Sequence, residues 1–198
     1  MIRVKTILLA LALGLGLLAA GLLWRASLYI GAPEQTQQTG AAGIGGPFTL
    51  IDQDGQERTN RNFLGRFALV YFGYTYCPDV CPTTLQEMAD ALGKLGPKAE
   101  RVVPLFITID PARDTPAVLK KYLAAFGPRF VGLTGTPDAI AQAAHAYRVY
   151  YAKQQIPGGY ALDHSSVLYL IGPDGKFVTF YDGDQKADAI AKDIDRRL

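Results

Sequence analysis

Cys77 and Cys81 are the only cysteines in the 198-residue chain, and three residues separate them in Phe72-Gly-Tyr-Thr-Tyr-Cys-Pro-Asp-Val-Cys-Pro-Thr-Thr84. Thiols this close together serve either redox exchange or soft-metal binding, and both uses depend on the thiolate. A structural disulfide is the plainer use of two cysteines in an exported domain. It would close a ring of only five residues, and the stabilisation from such a ring is small because it grows with ring size. The other residue with candidate chemistry is His164, in Asp163-His-Ser-Ser166. A lone loop histidine is commonly a surface or capping residue. Two thiolates and one imidazole form a soft three-ligand set suited to Cu(I) and, with a further oxygen ligand, tolerable for Cu(II), whereas structural zinc wants a fourth ligand.

The elements around these residues place them. Phe67-Ala-Leu-Val-Tyr-Phe72 is an apolar, strand-like run ahead of the cysteines. Behind them Leu85, Met88, Ala89, Leu92 and Leu95 recur at helical spacing, and Pro82 suits a helix's first turn. The thiols therefore lie between a strand's carboxyl end and a helix N-terminus, whose partial positive charge favours thiolate. Val167 to Ile171 reads as a strand just after His164. A loop entering a central strand can face the cysteine loop across one sheet edge.

The remaining chain alternates strands with helices. Phe48 to Ile51, Val102 to Ile109 and Phe130 to Leu133 read as strands, with Pro104 best placed near a strand start or edge. Thr115-Pro116 and Thr136-Pro137 supply caps and first-turn prolines for helices reaching Phe126 and about Tyr147. Tyr150 to Lys153 reads as a strand followed by a Gly-Gly-containing excursion over residues 154–163. Strands at 167–171 and 176–181 flank Gly172-Pro-Asp-Gly175, a hairpin turn, and Asp184 is placed to cap a last helix over about 186–197. This order predicts an α/β domain with a mixed central sheet flanked by helices, with its chemistry outside the strand carboxyl ends.

Thr6 to Trp24 is uncharged for nineteen residues, between Arg3 and Lys5 on one side and Arg25 on the other. As a helix it would span about 28 Å, close to the roughly 30 Å of bilayer hydrocarbon. Leu18 and Trp24 stand where a signal cleavage site wants small residues, so residues 1–30 read as an uncleaved membrane anchor. The excess of basic residues before the segment puts the N-terminus in the cytoplasm and the body on the extracytoplasmic side of a bacterial inner membrane. Residues 31–46 read as a Gly- and Gln-rich tether, and residues 47–198 as one domain. Setting aside Arg3, Lys5 and Arg25 from the 20 basic residues, and Glu34 from the 18 acidic ones, leaves 17 of each. That balance offers no footprint for nucleic acid.

Read together, these segments resemble the Sco/SenC family of copper-binding assembly factors for cytochrome c oxidase, over essentially all of residues 46–198. The resemblance rests on Gly46-Pro-Phe with Leu50 and Asp52, on Phe72 through Leu85, and on Ile109-Asp-Pro-Ala-Arg-Asp-Thr-Pro116. Further matching segments are Gly132-Leu-Thr-Gly-Thr136, Tyr147-Arg-Val-Tyr-Tyr151, Asp163-His-Ser165 and Tyr169-Leu-Ile171. It implies a thioredoxin-like fold, copper held by Cys77, Cys81 and His164, and an N-terminal membrane anchor. The partners it implies are oxidase subunit II and a thioredoxin-like reductant or another copper chaperone. Tyr76 stands where many relatives have histidine. Thioredoxin-like reductases usually carry a cis-proline near the position of Ser166, and no proline lies between Pro157 and Pro173, which favours metal binding. Reduction of the partner's disulfide by Cys77 and Cys81 remains the alternative activity. Asp110 and Asp114 read as loop and cap residues, with Asp79 or Asp110 the candidates for tuning the site's charge. Phe72 and Tyr74 read as packing, and His145 as an exposed helix residue.

Overall fold

The structure, a computed structural model, describes residues 43–198. Thr6 to Trp24 and most of the expected tether lie outside the described residues. Among the described residues no helix is long and apolar enough to cross a membrane.

Two parallel strands form the spine, β3 (Phe67–Gly73) and β4 (Val102–Thr108), each buried along its whole length. Such continuous apolar runs are what a central strand covered on both faces requires. Around them lie β1 (Thr49–Asp52), β2 (Glu57–Thr59), β5 (Val131–Thr134), β8 (Val167–Ile171) and β9 (Phe177–Asp182). The sheet order is β2-β1-β5-β4-β3-β8-β9. Strands β3, β4 and β5 run parallel and the other neighbours antiparallel, which is the expected mixed sheet. Pro104 sits where β4 has only β3 beside it, since pairing with β5 starts at Leu105. Its missing N–H therefore costs no ladder bond.

The helices are α1 (Val80–Leu95), α2 (Pro116–Leu123), α3 (Pro137–Ala146) and α4 (Ala187–Asp195). Thr115 and Thr136 cap α2 and α3, accepting from the N–H groups of Val118 and Ala139. Successive side chains of β3 face opposite layers. Tyr71 reaches Cys81 of α1 and packs with Phe106, which in turn meets Tyr122 of α2. Phe72 turns the other way, against Tyr147 just past α3. Helices thus cover both faces.

Three expectations change. The excursion over residues 154–163 is a β-hairpin, β6 (Tyr151–Ile156) against β7 (Gly159–His164), forming a sheet of its own. Pro157-Gly158, with Gly158 at φ +83°, makes the tight connection. Asp184 does not cap α4. Lys186 is the N-cap residue, without a side-chain cap, and the first helical N–H, of Ala187, donates to Glu87 of α1 at 2.7 Å. Finally, the last residues of the expected tether are docked: Gly45 N–H donates to Ala146 C=O at 2.9 Å, and Ile44 packs on the core.

Candidate metal centre

The site forms where β3 ends. Its last residue, Gly73, is a glycine for a steric reason. A Cβ there would lie 2.8 Å from the Cys81 sulfur and 2.9 Å from the Phe106 ring. The following loop is pinned by Asp114, which is fully buried. Its carboxylate accepts from Thr75 N–H at 3.0 Å, Thr75 Oγ1 at 2.5 Å and Thr108 Oγ1 at 2.6 Å. Burial pushes the Asp114 carboxyl up against the pull of those hydrogen bonds. The cysteine loop is thereby fastened to the end of β4.

Cys81 lies in the first turn of α1 with its sulfur buried, and Cys77 is half-buried at the surface of the loop. Cys81 N–H points at Cys77 Sγ, 3.4 Å away, as the N-terminus of a helix directs its free donors at an anion. Tyr71 Oη stands 3.7 Å from Cys81 Sγ. These neighbours separate the two thiols. A hydrogen bond from the Cys81 thiol, assisted by His164 and the amides of Cys81 and Asp79, holds the Cys77 thiol well below its usual range despite burial. The Cys81 thiol is pushed up, first by the adjacent Cys77 sulfur and then by burial. Both shifts favour the thiolate at Cys77 over Cys81.

His164 closes the site from β7. Its Nε2 is 3.5 Å from Cys81 Sγ, and its Nδ1 is 3.1 Å from the Ser165 carbonyl. A carbonyl only accepts, so Nδ1 carries the proton donated there, and Nε2 is the ring nitrogen that faces the sulfurs. Tyr71 and Tyr74 set the ring edge-on, with centroids 6.2 and 5.9 Å away.

The structure brings Cys77, Cys81 and His164 together. One ligand atom from each lies within 4.8 Å of the others. Bonds of about 2.3 Å to thiolate and about 2.0 Å to imidazole, arranged trigonally, would put sulfur and nitrogen roughly 3.7 Å apart and the two sulfurs roughly 4.0 Å apart, so small side-chain adjustments suffice. The donor set fits a soft monovalent metal. Among the described residues no fourth His, Cys, Asp or Glu joins the group.

The other candidates are placed elsewhere. Asp79 is exposed at the N-cap of α1 and makes no side-chain cap. Asp110 is engaged by Arg113 and by Tyr160 Oη, the latter at 2.7 Å. His145 is exposed on α3. Phe72 is buried packing. Tyr74 is buried too, but its hydroxyl receives Leu162 N–H at 3.3 Å and so binds the hairpin. Sequence reasoning overlooked Arg113 and Tyr160, and Arg113's place between two aspartates was the only signal pointing to them.

Comparison with known proteins agrees with this geometry. The family model SCO1/SenC matches residues 36–198. SCO1 homolog 1 of Arabidopsis thaliana mitochondria is 42% identical over 169 residues, covering 82% of this chain and 51% of that protein. The chain thus spans about half the length of that relative. Protein SenC of Rhodobacter capsulatus is 44% identical over 156 residues, covering 78% of this chain and 70% of that one. The structure of Bradyrhizobium japonicum ScoI with copper bound superposes with a TM-score of 0.74 at 44% identity, covering 78% of this chain and 99% of that one. With the family model spanning the whole sheet, both cysteines and the histidine, the chain belongs to the SCO1/SenC family.

Proposed function

We propose that this protein is a copper chaperone for the assembly of cytochrome c oxidase, which takes up copper on Cys77, Cys81 and His164 and passes it to the copper centre of oxidase subunit II. The observation that carries the reading is the convergence of two sulfurs and one imidazole nitrogen within 4.8 Å. Copper is the cargo. The buried Cys81 and the oriented His164 form the inner side of the site, and the half-buried Cys77 is the side open to an incoming thiolate. A ligand-exchange path follows: a partner thiolate binds the metal beside Cys77, which then leaves first. Residues 1–30 would hold the domain at the outer face of the inner membrane.

The reading is tested by titrating the full-length protein and its His164→Ala variant with Cu(I) against a competing chelator, anaerobically and under reducing conditions. Tight one-to-one binding that weakens in the variant beyond the roughly 10–100-fold cost of losing an outer-sphere partner is the expected result. Binding that is weak and indifferent to His164 would overturn it.

The unequal thiols favour a second reading, reduction of the partner's disulfide. In it the Cys77 thiolate attacks the disulfide, releasing one partner thiolate and forming a mixed disulfide. Cys81, after losing its proton, displaces the second partner thiolate and leaves a Cys77–Cys81 disulfide. His164→Ala would spare this reaction while weakening copper binding to what the two thiolates alone supply.

A further inference from the structure

The hairpin that carries His164 has little to hold it. Its strands form a sheet separate from the seven-stranded one, and residues 153–159 are exposed. Residues alternate across a strand, so Tyr160, Leu162 and His164 share one face of β7. That face is the hairpin's seam with the body. His164 meets Cys81, and the Leu162 amide meets the Tyr74 hydroxyl. At the far end Tyr160 meets Arg113.

We propose that Arg113 is a positioning residue for the metal centre, a clasp that holds together the two segments bearing the ligands. Its guanidinium carbon lies 3.8 Å from the centroid of the Tyr160 ring on the hairpin and 4.6 Å from that of Tyr76, the residue before Cys77. Arg113 Nη1 donates to the Tyr160 carbonyl at 3.1 Å, and Nε is paired with Asp110. Asp110 Oδ1 in turn accepts from Tyr160 Oη at 2.7 Å. Nη2 is buried without a hydrogen bond; the faces of the tyrosine rings supply the electron density that compensates it. One side chain thus touches both ligand-bearing segments, and a planar cation with fixed N–H directions does so where a lysine could not.

This clasp restrains the hairpin, and through it His164, and so slows the step in which the imidazole lets go of the metal. The inference rests on the copper reading above, and its test separates the two. Copper release from the full-length protein to excess Cu(I) chelator is timed for wild type, Arg113→Ala, Arg113→Lys and Tyr160→Phe, each also in a His164→Ala background. Arg113→Ala speeds release about tenfold, the equivalent of about 1.4 kcal/mol. Arg113→Lys recovers only part of the wild-type rate, and Tyr160→Phe, which keeps the stacking, has a smaller effect. In the His164→Ala background the effect of Arg113→Ala disappears. An equal acceleration in both backgrounds, or none in either, overturns the clasp. Amide exchange in the metal-free protein decides the same point if the wild type takes up no copper, an outcome that would defeat the functional reading alone. Arg113→Ala should speed exchange at Leu162 and its hairpin neighbours and leave β3 and β4 unchanged, and unchanged hairpin exchange would overturn the clasp.

Discussion

The sulfur of Cys81 stands 3.5 Å from Nε2 of His164, across 83 positions of sequence. The sheet creates this contact. Strands β3 and β8 are antiparallel neighbours, with Tyr71 opposite Leu168, so the end of β3 and the start of β8 lie at the same edge. The cysteines follow the first and the histidine precedes the second. A thiol pair on a helix N-terminus and an imidazole on a hairpin strand thus meet from opposite sides of one cleft.

Because the thiolate is favoured at the half-buried Cys77 over the buried Cys81, Cys77 is the more reactive thiol. Alkylation by iodoacetamide followed by mass spectrometry should label Cys77 first. Its rate should stay nearly flat from pH 8 to pH 6, where an ordinary thiol with a pKa near 8.5 slows roughly tenfold per pH unit. Cys81→Ala removes the largest cause of the lowered pKa, so its profile should shift upward in pH. Preferential labelling of Cys81, or an ordinary slope in wild type, would contradict the assignment.

The central strands, the helices and the caps of α2 and α3 were legible because each has a local signal, as was the cysteine pair ahead of α1. Val102–Thr108 is an unbroken apolar run, and Thr-Pro pairs announce α2 and α3. The β6–β7 hairpin was not legible because Lys153 to Gly159 are exposed and show no apolar alternation. Its strand character comes from the Pro157-Gly158 turn and from tertiary anchors. The true cap of α4 was hidden for a similar reason. Glu87 is 100 positions from Ala187, and no local pattern encodes such a partner. Likewise Arg113 shows its charge in the sequence but not the rings it lies between.

Gly73 and Gly93 should respond to alanine in opposite directions. At Gly73 the added methyl would meet Cys81 Sγ at 2.8 Å and Phe106 at 2.9 Å, an overpacking that costs about 1–3 kcal/mol and displaces a candidate ligand. Gly93 lies within α1 with nothing near its missing Cβ, so alanine should stabilise by about 0.5–1 kcal/mol. Urea denaturation measures both, and Cu(I) titration should show weakened binding for Gly73→Ala alone.

Asp114 is the buried peg of the cysteine loop. Asp114→Ala leaves Thr75 N–H, Thr75 Oγ1 and Thr108 Oγ1 without their acceptor, at a cost of about 3 kcal/mol or more. Asp114→Asn keeps one acceptor oxygen and should lose less. Asp79→Ala, at an exposed carboxylate with no cap bond, should stay within about 0.5 kcal/mol of wild type. Equal losses for Asp79→Ala and Asp114→Ala in denaturation experiments would show that the loop is not held through Asp114.

Acid should weaken the fold through carboxylates paired in the folded state. Burial alone would raise the Asp193 pKa, but hydrogen bonds from Arg197, Arg196 and Tyr181 outweigh it and hold the group at about 2. Asp52 and Glu87 are also lowered, Asp52 by Gln56, Arg58 and Asp54 against burial and Glu87 by the Ala187 amide and Lys186. A folded pKa below the unfolded value of about 4 makes each contribution complete at neutral pH. It drains away as pH falls from about 5 toward the folded value. Arg196 and Arg197 are 67% and 37% exposed, so solvent screening limits the Asp193 share between pH 7 and pH 3 to about 1 kcal/mol or less. Asp193→Asn should therefore be less stable than wild type at pH 7, with the gap narrowing by that amount at pH 3. Denaturation midpoints at the two pH values measure it, and a gap independent of pH would assign the loss to packing of the Tyr181 hydroxyl instead of to charge.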